Sequence, residues 1–196
     1  MDAIDALHNR ASTPARLIGA PAPAGDDLQV ILRAAASAPD HGALRPWRLI
    51  IIEGDGLQAL GDVFVAACVA AQPDADEGLL SRQRDKAMCS PMLIVVAAEI
   101  TPDHPKVPEW EQIVSAGCAA EHVQIAAQAL GYASIWVTGD KAQSPVVKRS
   151  LGLADKDRIV GFLHLGTARG ERRAPPRLAP DDYALRWQGP PRQGED

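Results

Sequence analysis

Residues 34–52 read AAASAPDHGALRPWRLIII and carry the chain from a helix, through a polar corner, into a strand. Pro39 disfavours a helical backbone at the residue before it, and Gly42 permits a left-handed one, so the alanine-rich helix ends at this corner. The apolar run that follows is short and β-branched, which is typical of a buried strand. The segment therefore presents the imidazole of His41 on a polar corner between two rigid elements.

The hydrophobic pattern on either side of this segment predicts alternating helices and strands. Proline in a first helical turn and glycine after a last one place the ends of the longest helix. In chain order, the predicted elements are a helix from residue 26 or 27, a strand over 48–53, helices over 57–71 and 79–87, a strand over 92–98, a long helix over 108–130, a strand over 132–138, a short helix over 145–151 and a strand over 158–167. Helices on both sides of a few central strands give an α+β sandwich.

The length and composition favour one domain over residues 1–196, because 46% of the 196 residues are apolar and no linker divides them. The part from residue 169 onward differs, since its prolines and glycines oppose regular structure. Tyr183, Leu185 and Trp187 are nevertheless too apolar to remain in water. We therefore expect an irregular C-terminal arm over residues 169–196 that packs against a partner subunit.

Charge and cysteine usage exclude several classes of protein. The net charge is −5 and the basic residues are scattered, which argues against nucleic-acid binding. No basic leader or apolar run of about 20 residues is present, so we expect a soluble cytoplasmic protein without a membrane partner. Cys68, Cys89 and Cys118 are odd in number and widely spaced, which indicates buried, reduced thiols rather than disulfides or a metal site.

The usual catalytic motifs are absent, and this narrows the chemistry. The sequence has no Gly-x-Gly-x-x-Gly or Gly-Lys-Ser/Thr loop for a nucleotide, no Gly-x-Ser-x-Gly elbow and no His-Glu-x-x-His metal pair. His41 follows Asp40, but neighbours on a turn point in different directions and no serine is nominated as a nucleophile. Nucleophilic hydrolysis is therefore not supported.

Four segments, in register over residues 2–167, together resemble the nitroreductase family, in particular its small bacterial subgroup. They are NRASTPARL at 9–17, the Ala-Pro-Asp-His corner at 38–41, KVPEWEQ at 106–112 with the small-residue helix that follows it, and IWVTG at 135–139. The resemblance implies an α+β sandwich with a central mixed sheet flanked by helices. It also implies a homodimer whose subunits share FMN at their interface.

The same resemblance implies site residues and a reaction. The flavin phosphate, ribityl chain and ring would be held by Arg10, Ala11, Ser12, Ser37, His41, Trp136, Val137 and Thr138. The nicotinamide cofactor, NADPH or NADH, would be bound by Ala126, Ala127, Gln128, Ala129, Leu130 and Gly131. Electrons would pass to an electron-poor small molecule such as a nitroaromatic or quinone, and no protein acid or base is nominated as catalytic because the flavin carries the chemistry.

The sequence also departs from the family pattern. Ala11 stands where a second arginine is usual, and Ser37 and Val137 occupy positions where relatives can carry arginine. Arg16, or Arg172 and Arg173 in the arm, could restore the lost charge, although exposed arginines are commonly just solvated.

Each nominated residue has a simpler interpretation. Arg10 and Ser12 could end and cap a helix, His41 could bond its own turn, and Trp110 and Trp136 could be ordinary core aromatics. Two other functions stay open: a flavin-binding protein for storage or sensing with little turnover, and a flavin-free scaffold that retains the fold.

Overall fold

The computed structural model describes residues 2–170 and 176–190, so Arg172 and Arg173, expected as compensating charges, lie outside the described residues. Seven α-helices and five strands are found in this part of the chain. In order they are α1 (Ala3–His8), β1 (Ile18–Gly19), α2 (Gly25–Ala35), β2 (Trp47–Glu53), α3 (Asp55–Ala71), α4 (Glu77–Met88), β3 (Met92–Ala98), α5 (Glu109–Ala129), β4 (Ala133–Val137), α6 (Asp140–Gln143), α7 (Pro145–Ser150) and β5 (Arg158–Ala168).

The predicted α+β sandwich is confirmed, but the sheet is antiparallel where a mixed one was expected. β2 pairs with β3, β3 pairs with β5, and β4 and β1 pair with successive parts of the other edge of β5, all antiparallel. β3 and β4 do run in the same direction, since Met92 and Ser134 both pair with Leu165. β5 lies between them, so among the described residues the parallel contact is limited to a bridge from Ser12 to Ser134.

The sheet is covered by helices on both faces, and β3 shows this most directly. All seven of its residues are buried. Successive side chains of a strand point to opposite faces. Leu93 and Val95 accordingly pack with Phe64 of α3 on one face, while Ile94 packs with Val123 of α5 on the other. The continuous apolar run of β3 is therefore explained by its burial on both faces of the sheet.

The polar corner at residues 38–45 is held by a carboxylate. The backbone N–H of Arg45 donates to Asp40 Oδ2 at 2.7 Å. The chain turns through a short 3-10 segment, His41–Ala43, in which Gly42 has φ +74°. Gly42 thus takes the left-handed backbone that its sequence position predicted, and the corner presents His41 to solvent.

The remaining features concern the surface. The described arm, residues 176–190, has a single 3-10 turn, Pro180–Asp182, and leaves Leu185 and Trp187 94% and 83% exposed.

The three cysteines are free, but each is half-buried rather than buried as expected, because they lie on helix faces and beside a cavity. No helix within the described ranges is long and apolar enough to cross a bilayer; the cytoplasmic location stays a prediction.

Candidate functional site

A corner of hydrogen-bond donors forms where the segment after α1 meets β4. Arg10 Nη1 donates to Ser12 Oγ at 3.2 Å, and Arg10 Nε lies 3.9 Å from Glu121 Oε1 on α5. The backbone N–H of Thr13 donates to the Ser134 carbonyl at 2.9 Å, which ties the segment to the sheet. A guanidinium and a hydroxyl are thereby held side by side, which is a donor set that suits a phosphate.

A second guanidinium reaches this corner from the C-terminal arm. The Arg177 side chain donates to the backbone carbonyl of Arg10. Ala11 between Arg10 and Ser12 is 4% exposed and adds no charge. Sequence reasoning missed Arg177, because nothing in the order of residues indicates that the arm folds back onto α1. Its position 167 residues away could be found only from the fold.

A cavity of about 840 Å³ lies on the α3 face of the sheet, and the donor-corner residues are not among those that line it. Its walls are largely apolar, and its lining includes Ala15, three residues after Ser12, together with Val137 and Thr138. The volume falls within the usual range for a cofactor site, about 300–1,000 Å³. Val137 and Thr138, two of the predicted site residues, therefore lie on this cavity.

The polar groups of the cavity lie at defined places on its wall. His164 on β5 forms a hydrogen bond between its Nδ1 and Ser90 Oγ at 2.7 Å. Burial lowers the pKa of His164 to about 4, so the imidazole is neutral at pH 7. Lys141 at the start of α6 is half-buried, and its Nζ stands 5.1 Å from the centroid of the Phe64 ring. Burial raises the pKa of the Cys89 thiol, which favours its protonated form.

Trp136 is fixed against the sheet rather than exposed to the cavity. Its Nε1 donates to the Val160 carbonyl at 3.3 Å, and it packs with the core on the α5 face. Trp136 therefore packs as a core aromatic. Its indole lies near Gly117 of α5, since a Cβ added to Gly117 would stand 3.9 Å from the ring. Its backbone still leads directly into Val137 and Thr138.

Ser37 and His41 contact α5 at different points along its length. Ser37 Oγ donates to the Ala34 carbonyl at 2.7 Å and stands 3.3 Å from His122 Nδ1, whereas His41 Nδ1 pairs with Glu111 Oε2 at 2.7 Å. Glu111 and Glu121, the α5 partners of His41 and Arg10, are separated by roughly 15 Å at about 1.5 Å per residue. In one copy of the chain His41 is thus distant from Arg10, whereas Ser37 meets α5 at the residue after Glu121.

The expected nicotinamide-binding residues form the end of α5. Ala127 is buried, and its carbonyl accepts from the N–H of Tyr132 at 2.8 Å. Gln128 Nε2 donates to the Asn9 carbonyl at 3.3 Å, and Gly131 follows the helix with φ +91°. Ala129 and Leu130 are exposed. The segment closes the helix and does not line the cavity, so its binding role stays a prediction.

Three of the simpler interpretations are wrong. Ser12 caps no helix, since it pairs with Ser134 as an isolated bridge, and α1 ends earlier with Asn9 as its C-cap. His41 bonds Glu111 of α5 rather than its own turn. Trp110 is no core aromatic, because 63% of it is exposed on the first turn of α5.

Comparisons with known proteins agree on one family. The family model described as "Nitroreductase family" matches residues 18–167. The Escherichia coli K12 protein named "Putative NAD(P)H nitroreductase YdjA" is 42% identical over 167 residues, covering 85% of this chain and 88% of that protein. Solved structures share the fold at 22% identity: a nitroreductase-like family protein of Bacillus cereus (TM-score 0.81, 96% and 97% covered) and the FMN and NADPH-dependent nitroreductase NfnB of Sphigopyxis sp. strain HMH (TM-score 0.72, 96% and 100% covered).

Proposed function

Because the chain belongs to the nitroreductase family, we propose that it is an FMN-dependent oxidoreductase that takes electrons from NADPH or NADH and passes them to an electron-poor acceptor such as a nitroaromatic or quinone. The observation that carries this proposal is that the chain holds both a donor corner at Arg10 and Ser12 and a largely apolar cavity of about 840 Å³ that is lined by Ala15, Val137 and Thr138. A flavin mononucleotide needs this combination, since it joins an anionic phosphate to a flat apolar ring with polar edges.

Arg10, Ser12 and Arg177 would hold the phosphate. Ala11 removes the charge that a second arginine would supply at the start of the chain, and Arg177 brings a guanidinium to the same place through the arm. Charge-assisted bonds from guanidinium groups are stronger than those from neutral donors. The donor set therefore fits a dianionic phosphate despite Ala11.

Val137 and Thr138 would lie along the ring, at the mouth of the cavity. When bound, FMN supplies the capacity to accept a hydride and deliver electrons, and the residues of this chain bind and orient it. Phe64 and Phe162, whose ring centroids lie 5.6 Å apart, form part of the apolar wall of the cavity. His164 is neutral there and keeps its Nδ1 engaged with Ser90.

A homodimer would bring His41 to the site. His41 stands too far along α5 from Arg10 to share one phosphate, so we propose that it serves the flavin held by the partner's donor corner. We propose that Ser37, on the same segment, contacts that flavin too. The exposed Trp110 and the exposed apolar residues of the arm offer surface for such an interface. In this proposal residues 1–196 form one FMN-binding domain, and residues 126–131 contact the nicotinamide.

The test is steady-state oxidation of NADPH by the FMN-loaded protein with p-benzoquinone as acceptor. We expect oxidation that requires both FMN and acceptor. Arg10→Ala should be slow at limiting FMN and should recover when FMN is in excess, because it weakens binding and leaves the ring environment intact. Full FMN occupancy with negligible oxidation of NADPH and of NADH would overturn the enzyme proposal in favour of a storage or sensing protein.

A further inference from the structure

Two ammonium groups on the lining of the cavity, those of the exposed Lys86 and the half-buried Lys141, share one neutral oxygen. Lys141 Nζ donates to Gln83 Oε1 at 2.5 Å, and Lys86 Nζ donates to the same Gln83 Oε1 at 3.1 Å. All three side chains line the cavity. An amide oxygen carries no net charge, so it satisfies the donors without offsetting the mutual repulsion of two cations.

Neither ammonium has a carboxylate partner in the part of the chain that the structure describes. The ion pairs found there involve Arg10, His41, Arg48 and Arg84, and none includes Lys86 or Lys141. Burial, followed by the charge of Lys86, lowers the pKa of Lys141 to about 8, while Asp140 and Cys68 act weakly in the opposite direction. Lys141 remains mostly charged at pH 7, in a place where that charge is poorly compensated.

The surroundings of these lysines define the shape and polarity of a ligand. Phe64 lies against Lys141, and Leu93 and Phe162 form the neighbouring apolar wall. His164 adds no charge at neutral pH. A cavity of this size with one cationic end and apolar sides suits a planar organic molecule that carries a delocalised negative charge on one edge.

We propose that Lys141, together with Lys86 and Gln83, forms an anion-binding subsite of the cavity that takes the anionic edge of a planar organic ligand. The proposal rests on the proposed function for the identity of that ligand. The edge belongs either to the flavin ring, whose N1 and C2 carbonyl side becomes anionic when the flavin is reduced, or to an acceptor that carries a carboxylate. In both cases the ligand supplies the negative charge that the protein does not.

The first experiment compares Lys141→Met with two controls. Lys141→Arg retains the charge, and Lys156→Met makes the same change at an exposed lysine outside the cavity. The reduction potential of bound FMN is measured by dithionite titration, because the flavin ring acquires its negative charge only on reduction. Binding of 4-nitrobenzoate and of neutral 4-nitrobenzamide is measured by calorimetry on both flavin-free and FMN-loaded protein, which differ in whether the flavin occupies the cavity.

We expect Lys141→Met to weaken anion binding by about ten- to a hundredfold, as for the loss of a charged hydrogen bond. A lower reduction potential of bound FMN with unchanged preference between the nitro compounds supports the flavin as the source. Loss of the preference for 4-nitrobenzoate with an unchanged reduction potential supports the acceptor. The proposal is overturned if neither quantity changes, or if Lys156→Met changes them equally.

A second variant keeps the test decisive if Lys141→Met folds poorly. Gln83→Glu places a carboxylate at the oxygen that both ammonium groups already contact, so the protein then supplies the missing charge itself. We expect a higher melting temperature together with weaker anion binding. A higher melting temperature with an unchanged reduction potential of bound FMN and undiminished binding of 4-nitrobenzoate would overturn the proposal.

Failure of the subsite and failure of the proposed function give different results. If wild-type protein binds no FMN, the proposed function fails, but calorimetry with 4-nitrobenzoate on the flavin-free protein still reports on Lys141. If FMN binds and NADPH is oxidised while no variant alters anion binding, the subsite alone is wrong.

Discussion

The indole of Trp136 occupies the space that a side chain at residue 161 would need. A Cβ added to Gly161 would lie 1.9 Å from Trp136 Nε1 and 2.5 Å from its Cδ1, well inside van der Waals contact. Trp136 Nε1 also donates to the carbonyl of the preceding residue, Val160, at 3.3 Å. The missing side chain on β5 thus fixes the ring of Trp136 on β4, immediately before Val137 and Thr138 at the cavity.

Gly161→Ala should displace the indole and destabilise the fold by about 1–3 kcal/mol, as overpacking typically does. Once Trp136 is replaced by Ala, the same methyl group meets open space and should cost much less. A double-mutant cycle from urea unfolding should therefore give a coupling free energy of about 0.5–3 kcal/mol between the two substitutions. Additive effects would show that the ring and the methyl group do not compete.

Arg10→Ala and Arg177→Ala should each weaken FMN binding by about 1.5–3 kcal/mol, the usual value for a hydrogen bond to a charged group. Arg16→Ala is the matched control, since Arg16 is exposed in the nearby 3-10 turn and no contact joins it to the donor corner. Flavin fluorescence titration measures all three dissociation constants. An unchanged constant for Arg177→Ala would remove the arm from the phosphate site, and equal losses for Arg16→Ala would point to general electrostatics.

His164 should make the protein sensitive to acid. Its pKa in the fold is about 4 against an ordinary 6.5, so the unfolded chain binds the proton more readily, and stability falls as the pH drops from 6.5 toward 4. The full loss amounts to about 3 kcal/mol. Urea unfolding between pH 7 and 4 should show this slope in wild type and a shallower one in His164→Gln.

Replacement of the exposed His8 by Gln is the control for the acid experiment, and it should leave the wild-type slope unchanged. The interpretation fails if His164→Gln retains the full acid sensitivity of wild type. It also fails if wild type shows no loss of stability below pH 6.5.

The apolar arm should stabilise the proposed homodimer. Leu185→Ser with Trp187→Ser is preferable to truncation after Ala168, because truncation would also remove Arg177. We expect weaker dimerisation by light scattering at low concentration. Val69→Ser, at an exposed apolar site on α3, is the control and should not alter the mass. A double variant with the mass and dissociation profile of wild type would place the arm outside the interface.

Most elements could be predicted from the sequence because their periodicity is strong. The predicted strand over 92–98 coincides with β3, and the long helix over 108–130 differs from α5 by one residue at each end. The sheet direction could not be predicted in this way. The two helices between β2 and β3 bring the chain back to the end of the sheet at which β2 finishes, so Glu53, the last residue of β2, pairs with Met92, the first residue of β3. β5, which follows both β3 and β4 in the sequence, lies between them in the sheet.

The candidate site was predictable only where its residues are close in sequence. Arg10 and Ser12 are adjacent in the fold because a single residue separates them, and Val137 and Thr138 reach the cavity because β4 ends there. Arg177 and the group of Lys86, Lys141 and Gln83 come from three distant segments. Long-range packing places them, and no local pattern of residues encodes it.

Whether this chain binds FMN is decided by the visible absorption spectrum of the purified protein. The spectrum is recorded after FMN has been added and the unbound excess removed by gel filtration. We expect a retained flavin spectrum at about one FMN per chain. A protein that elutes folded but without flavin absorbance would rule out FMN binding and leave a scaffold that retains the nitroreductase fold.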